Sequence, residues 1–398
     1  MKLAILYTGG TIGCVGSPLQ PLSSDAFKKD FSYLISPILL SQYADCSIEF
    51  INFYSDSLDK TLDSTNLQPS DWCQMAQLIL SHYAEYDGFI ILHGTDTMAW
   101  SAAALSFFLT GLSSQGECNA VLNKAIIITG SQLPLFCQHD ESCTLTLRFN
   151  TDALQNICGA VTAAYSQIPE VCIYFNNTLL RGNRAIKSNA SEFNAFSTPN
   201  YPVLGQQGIE FSLAVEYIRS KAINFKISLE NQLVREQLQQ QLKHISQQIN
   251  KITVMPFLAF PAYYDENSSA LAGMLSACIE QGVDGIILES YGSGNFPSGN
   301  VSSPQDGAIY QCLKKAREQG VMIVDCTQVL TGTVNLKTYA AGSWLADTDI
   351  NAIGALDMIA TASLCKLIYL LSLKDFHQWN EKQIEQLMQG NLCGEIRN

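Results

Sequence analysis

Basic residues are scarce in this chain. Its 398 residues include 23 Lys+Arg against 36 Asp+Glu, a formal net charge of −13 at pH 7. Such a balance repels phosphate backbones and anionic leaflets, so neither nucleic acid nor a membrane is an expected partner. Long hydrophobic runs are missing as well. The most apolar stretches, residues 89–92, 125–129 and 367–371, fall far short of the ~20 residues that cross a bilayer. The opening run at residues 3–7 is too short for a signal-peptide core and stops at glycines without a cleavage pattern, which gives the expectation of a cytoplasmic protein. The few histidines, His82, His93, His139, His244 and His377, share no metal-ligand spacing, so no metal and no cofactor is expected. No C-x-x-C occurs among the 13 cysteines, which are odd in number, scattered and often inside apolar runs. They read as reduced thiols acting as small hydrophobes. With 47% hydrophobic residues and only 12 Pro, disordered and collagen-like classes are out.

What is present is an α/β pattern. The length exceeds the roughly 250–300 residues at which one hydrophobic core stops growing, so two domains are expected. Short runs rich in β-branched residues alternate with helix-period segments: strands over 2–7, 88–92, 125–129 and 171–175, helices over 71–82, 97–110 and 152–164. That alternation predicts a parallel sheet covered on both faces. Periodicity is lost over 181–202, and the first domain is placed at 1–210. A linker at 211–251 carries one amphipathic helix, with apolar residues at Ile227, Leu233, Val234, Leu238, Leu242, Ile245 and Ile249. A second, smaller α/β domain follows at 252–398, with strands over 252–255, 285–288 and 321–325 and helices over 268–281, 305–319, 357–371 and 381–389.

In open parallel sheets the ligand site lies beyond the carboxyl ends of the strands. Three loops there stand out. Thr8-Gly9-Gly10-Thr11-Ile12-Gly13 follows the first strand; its glycines permit sharp turning and leave Thr11 as the reactive side chain at its tip. It matches neither glycine-rich phosphate-binding pattern. His93-Gly94-Thr95-Asp96-Thr97-Met98 follows the strand 88–92, where Thr95 or Asp96 could equally cap the next helix. Asp63-Ser64-Thr65-Asn66 is the third, and alone it reads as a capped turn. Hydroxyls can hold a carboxylate and an aspartate an ammonium, so together the loops suit a small polar zwitterion. A lysine would be needed to activate a hydroxyl, and Lys187 in the aperiodic stretch is the candidate.

Several ordered motifs make the pattern specific: TGGTIG near the start, GFIILHGTDTM at 88–98, GSQLPL at 130–135, NNTLLRGNRAIKSNASEFNAF at 176–196, SYGSGN at 290–295 and CTQVLTGTVN at 326–335. The chain resembles the bacterial L-asparaginase family, type I, over nearly its whole length. The resemblance implies a two-domain asparaginase-like fold, with a larger flavodoxin-like N-terminal parallel-sheet domain and a smaller α/β C-terminal domain. It implies that L-asparagine is hydrolysed through a β-aspartyl ester on Thr11, with Thr95, Asp96 and Lys187 as the activating group. Ser64 would hold the α-carboxylate with Thr65 beside it, and Asp96 would also take the α-ammonium. Asn295 would reach into a neighbouring subunit's site, which makes a homo-oligomer, a dimer or dimer of dimers, the competent unit.

Two departures stand against that pattern. The family places a tyrosine on the flap after the glycine loop, whereas Leu19 occupies that position here and Tyr33 is a nearby substitute. Positions of a regulatory asparagine site in some members read Glu289 and Val329, so hyperbolic kinetics are expected. Insertions at 114–122 and 136–148 sit beside strand exits. His93 reads as a buried scaffold residue, and 139–141 as a solvated tip. The alternatives are an asparagine- or aspartate-binding homologue that has lost turnover, and an asparaginase-like subunit of a tRNA-dependent amidotransferase.

Overall fold

A computed structural model describes residues 1–54, 61, 63–138, 144–264, 269–337 and 339–397; the tip at 139–141 lies outside them. The chain forms two compact units, one of residues 1–113 with 117–243 and the other of residues 114–116 with 244–398.

The first unit is built on an eight-stranded sheet. Its strands are β1 (Lys2–Tyr7), β2 (Ser47–Ile51), β3 (Gly88–Leu92), β4 (Ala125–Thr129), β5 (Val171–Phe175), β6 (Thr178–Arg181), β7 (Gly205–Gln207) and β8 (Phe211–Leu213). Their spatial order is β8-β7-β6-β5-β4-β3-β1-β2. Strands β2, β1, β3, β4 and β5 run parallel. Every residue of β3, β4 and β5 is buried, which is why they read as continuous apolar runs rather than alternating ones. The other edge departs from the expected parallel sheet: β6, β7 and β8 join antiparallel. These strands of three or four residues are too short to show a period; β6 ends where periodicity fails, and β7 and β8 follow that stretch.

The helices of this unit are α1 (Ser24–Leu34), α2 (Ser36–Gln42), α3 (Pro69–Ser81), α4 (Met98–Phe108) and α5 (Ala153–Tyr165). The first two were not expected. Phe27 and Phe31 of α1 are fully buried, and the Phe27 ring stacks on Tyr7 of β1 with centroids 4.1 Å apart. Met75, Met98, Phe107 and Phe108 are all core residues.

Helix α6 (Gln232–Gln248) starts later than its apolar spacing suggested, because Ile227 lies before it with its carbonyl accepting from the Val121 N–H at 2.8 Å; within the helix Leu233 is exposed while Val234, Leu238, Leu242 and Ile245 form the buried stripe. The second unit has a four-stranded parallel sheet of β9 (Val254–Leu258), β10 (Gly285–Ser290), β11 (Met322–Thr327) and β12 (Ile353–Gly354). Pro256 sits in β9, which is an edge strand and tolerates the missing donor. Its helices are α7 (Ala270–Glu280), α8 (Ala308–Glu318), α9 (Ala360–His377) and α10 (Glu381–Gln389). The cysteines among the described residues are free thiols.

Candidate active site

Strand order fixes where a ligand can enter. The run β2-β1-β3-β4-β5 reverses direction between β1 and β3, and the crevice beyond their carboxyl ends is the topological switch point. Two of the loops singled out in the sequence leave the strands that flank it, and the third, 63–66, follows β2 in the chain.

The first loop turns through left-handed backbone at Gly9 (φ 104°) and Gly10 (φ 85°), then forms a single 3-10 turn, Thr11–Gly13, with Thr11 at its start. Thr8 locks the loop to β3 by donating both its N–H and its hydroxyl to the Leu92 carbonyl, at 3.0 and 3.1 Å. A Cβ built on Gly10 would land on the Gly94 backbone, and one on Gly94 would land on the Ser64 hydroxyl. The three loops are therefore in van der Waals contact one residue before Thr11, one residue before Thr95 and at Ser64. The Thr97 hydroxyl ties the second loop to the third by donating to the Ser64 carbonyl at 2.9 Å.

Neither Thr95 nor Asp96 caps α4, whose N-cap is Thr97 with no side-chain cap bond. Their side chains meet Lys187 instead. Lys187 Nζ donates to Thr95 Oγ1 at 2.9 Å and to Asp96 Oδ1 at 2.7 Å. Thr95 is buried, while the Asp96 side chain is 55% exposed and so remains open to a ligand cation. Lys187 is presented by a two-residue hairpin, Ile186–Lys187 against Phe196–Ser197. A buried pair holds the base of that segment: Arg181 donates through Nε and Nη2 to Glu170 at 2.6 and 2.9 Å. Tyr201 lies against the guanidinium groups of both Arg181 and the fully buried Arg184.

Under the second loop lies a neutral hydrogen-bond chain. His93 is fully buried, and burial pulls its pKa down to about 4. Its Nδ1 lies 2.7 Å from the Gly94 carbonyl and its Nε2 2.9 Å from Ser101 Oγ. A carbonyl only accepts, so Nδ1 carries the proton and Nε2 accepts from the Ser101 hydroxyl, which accepts in turn from Trp72 Nε1 at 3.2 Å. Every polar atom is satisfied with the imidazole uncharged. The set holds Gly94 in place and leaves no free nitrogen to act as a base.

Of the expected site residues, Ser64, Thr95, Asp96, Lys187 and the Thr11 loop come together. Thr65 has its hydroxyl committed to Asp63, 3.0 Å away. Asn295 belongs to the second unit, in a turn closed by reciprocal backbone bonds with Tyr291. Leu19 sits half-exposed on a small hairpin of residues 14–15 and 20–21, lining a cleft of about 380 Å³ with Phe136, Cys137 and Arg148. Tyr33 is 79% exposed on α1, whereas the hydroxyl of Tyr54 donates to the Thr8 carbonyl at 3.2 Å. Two residues escaped the sequence reading. Gln132 accepts from the Thr95 hydroxyl at 3.4 Å and donates to the Glu192 carbonyl at 3.1 Å. Asp152 fixes that loop by accepting from the N–H groups of Gln132 and Leu133, at 2.9 and 3.0 Å. The GSQLPL motif was the available signal.

Comparison with known proteins decides the family. The asparaginase N-terminal family model matches residues 2–219 and the glutaminase/asparaginase C-terminal model residues 268–388. L-asparaginase 1 of Escherichia coli K12 is 33% identical over 396 residues, covering 99% of this chain and 98% of that protein. This chain belongs to the asparaginase family. The asparaginase fold extends throughout: the crystal structure of L-asparaginase I from Vibrio cholerae superposes with a TM-score of 0.74 at 31% identity, covering 100% of this chain and 99% of that one. The protein is accordingly an amidohydrolase of the asparaginase type. A glutamyl-tRNA(Gln) amidotransferase component from Methanosphaera stadtmanae is a more distant relative, 26% identical over 405 residues that cover 99% of this chain and 76% of that protein. Among the described residues of this asparaginase, no helix is long and apolar enough to cross a membrane.

Proposed function

We propose that the chain hydrolyses L-asparagine to L-aspartate and ammonia through an acyl-enzyme on Thr11. The observation that carries this reading is the Lys187 amino group bridging Thr95 and Asp96 on the loop whose Gly94 packs against Gly10, the residue before Thr11. The Thr11 hydroxyl has no hydrogen-bond partner among the described residues and is half-buried at the tip of its loop. It attacks the side-chain amide carbon, and its proton passes by way of Thr95 and Lys187 to the leaving nitrogen. The C–N bond breaks, ammonia departs and a β-aspartyl ester remains. Water, deprotonated by the same group, then cleaves the ester and restores the hydroxyl. Backbone N–H groups of the loops at Thr11 and Thr95 would hold the oxyanion of both tetrahedral intermediates. Asp96, open to solvent, takes the α-ammonium, and Ser64 takes the α-carboxylate, with Thr65 at its side. Asn295 of an adjacent subunit would complete the site in a homo-oligomer.

Ammonia release from saturating L-asparagine, with L-glutamine in parallel and Thr11→Val as blank, tests the proposal. Release at least 100-fold above the blank is expected. No release, with L-asparagine still raising the melting temperature, would make the chain a binding protein. Activity appearing only with charged tRNA would make it an amidotransferase component.

A further inference from the structure

The turn that would offer Asn295 to a neighbouring subunit rests on a buried carboxyl. Strand β10 ends at Ser290, and the chain then folds back on itself over Tyr291–Asn295. Tyr291 and Asn295 exchange backbone N–H···O bonds of 3.0 and 2.9 Å, and the Gly294 N–H donates to the Tyr291 carbonyl at 3.0 Å. The Asn335 N–H ties the turn to the next segment by donating to the Ser293 carbonyl at 3.0 Å.

Asp325 of β11 lies against that turn. Both it and Ser290 are fully buried, and the Ser290 hydroxyl donates to Asp325 Oδ1. The other oxygen, Oδ2, has no hydrogen-bond partner and faces Gly294. A Cβ built on Gly294 would lie 2.5 Å from Oδ2, with Val334 Cγ1 and Leu336 Cδ2 next nearest at 2.9 and 3.5 Å. Gly294 also has a left-handed φ of 107°, so glycine both turns the chain here and leaves room for the carboxyl. The two oxygens therefore meet the residue that enters the turn and the residue that precedes Asn295.

No cation answers the charge this group would carry. The ionisable side chains packed with the same core are the phenols of Tyr291 and Tyr310. Glu289 and Cys326, which adjoin Ser290 and Asp325 in their strands and pair with each other, point to the opposite face of the sheet. Among the described residues no Lys, Arg or His acts on the carboxyl, and burial raises its pKa from 3.8 to about 7 although the Ser290 bond pulls the other way. In the folded chain it is accordingly neutral below pH 7 and an unpaired buried carboxylate above it. Such a charge is relieved by admitting water, and the cover lying against Oδ2 is the turn itself.

We propose that Asp325 is a positioning residue for Asn295: in its neutral form it supports the Tyr291–Asn295 turn, and on ionising at alkaline pH it releases that turn. The inference rests on the reading that Asn295 completes a neighbouring subunit's site, and two measurements on the full chain separate the failure of one from the failure of the other. With half-ionisation near pH 7, roughly one group in ten is charged at pH 6 and nearly all at pH 9. Amide hydrogen exchange of residues 291–295 needs no substrate. Wild type should exchange there at least about fivefold faster than Asp325→Asn at pH 9 and within about twofold at pH 6, with strand 285–288 differing less at pH 9. The kcat/KM for L-asparagine, read as ammonia release, should agree within about twofold at pH 6 and be at least about fivefold lower in wild type at pH 9. Asn295→Ala should lower kcat/KM at pH 6, and in that background Asp325→Asn should no longer alter the pH profile. Equal exchange of the turn in the two proteins at pH 9, or pH profiles that run parallel, would overturn the inference. Full activity of Asn295→Ala would overturn the reading beneath it, and the inference with it.

Discussion

Gly10 is where fold and chemistry are coupled most tightly, and Gly10→Ala separates two effects. The first is torsional: its φ of 85° is left-handed, which costs a residue with a Cβ roughly 1–2 kcal/mol. The second is steric, because the new Cβ would lie 2.3 Å from Gly94 Cα, well inside van der Waals contact, and the two loops must part. Gly282 isolates the first effect. Its φ is 84° and a Cβ there meets nothing within 4 Å, so Gly282→Ala should lose roughly 1–2 kcal/mol of stability with full turnover. Gly10→Ala should lose more than that. A misplacement of about 1 Å can lower a rate about 10²-fold, so parting loops that carry Thr11 and Thr95 should cut kcat/KM by about 10–100-fold. Urea unfolding and steady-state ammonia release on both variants provide the comparison. If Gly10→Ala lost no more stability than Gly282→Ala and kept its activity within twofold, the contact between these loops would not be what aligns the site.

Other expectations follow from the same structure. Lys366 and Glu395 form a fully buried pair 2.7 Å apart, so Lys366→Met should destabilise by roughly 3–5 kcal/mol by leaving an unpaired carboxylate; thermal unfolding should show Lys366→Met/Glu395→Gln recovering most of it. Asp325 is buried with one carboxylate oxygen unpartnered, and burial raises its pKa from 3.8 to about 7. The folded value lies above the unfolded one, so its contribution is complete below pH 4 and is lost as pH rises through 7. Asp325→Asn should consequently gain up to about 4 kcal/mol over the wild type at pH 8 and much less at pH 4, read by urea unfolding at both pH values. Leu19 sits on the hairpin beside the first loop but carries no proton. Leu19→Tyr should raise kcat toward the 10²–10⁴-fold range of positioned acid–base assistance; an unchanged kcat would show that the proton moves by another route.

The parts of this protein that could be read from sequence are those where local pattern and tertiary environment coincide. Buried parallel strands such as residues 88–92 and 125–129 must be apolar on both faces, and the glycine and threonine turns that end them mark the switch point. The antiparallel edge was invisible because strands such as Gly205–Gln207 and Phe211–Leu213 are shorter than one recognisable alternation. Helix α1 lay next to a segment read as a flap, and its phenylalanines gain meaning only through the stack on Tyr7. In the site, Lys187 is an ordinary loop lysine until a two-residue hairpin turns it toward Thr95, 92 positions away. Gln132 and Asp152 act through partners 19 or more residues distant, a relation that no spacing rule records. Tyr33 illustrates the converse: close to the flap in sequence, it lies on the solvent face of its helix.

Whether Thr11 carries the acyl group is settled most directly by quenching the enzyme in acid during turnover of L-asparagine and mapping its peptides by mass spectrometry. An aspartyl adduct confined to the peptide containing Thr11, and absent in Thr11→Val, is the expected result. Full turnover by Thr11→Val, or an adduct on any other residue, would contradict it.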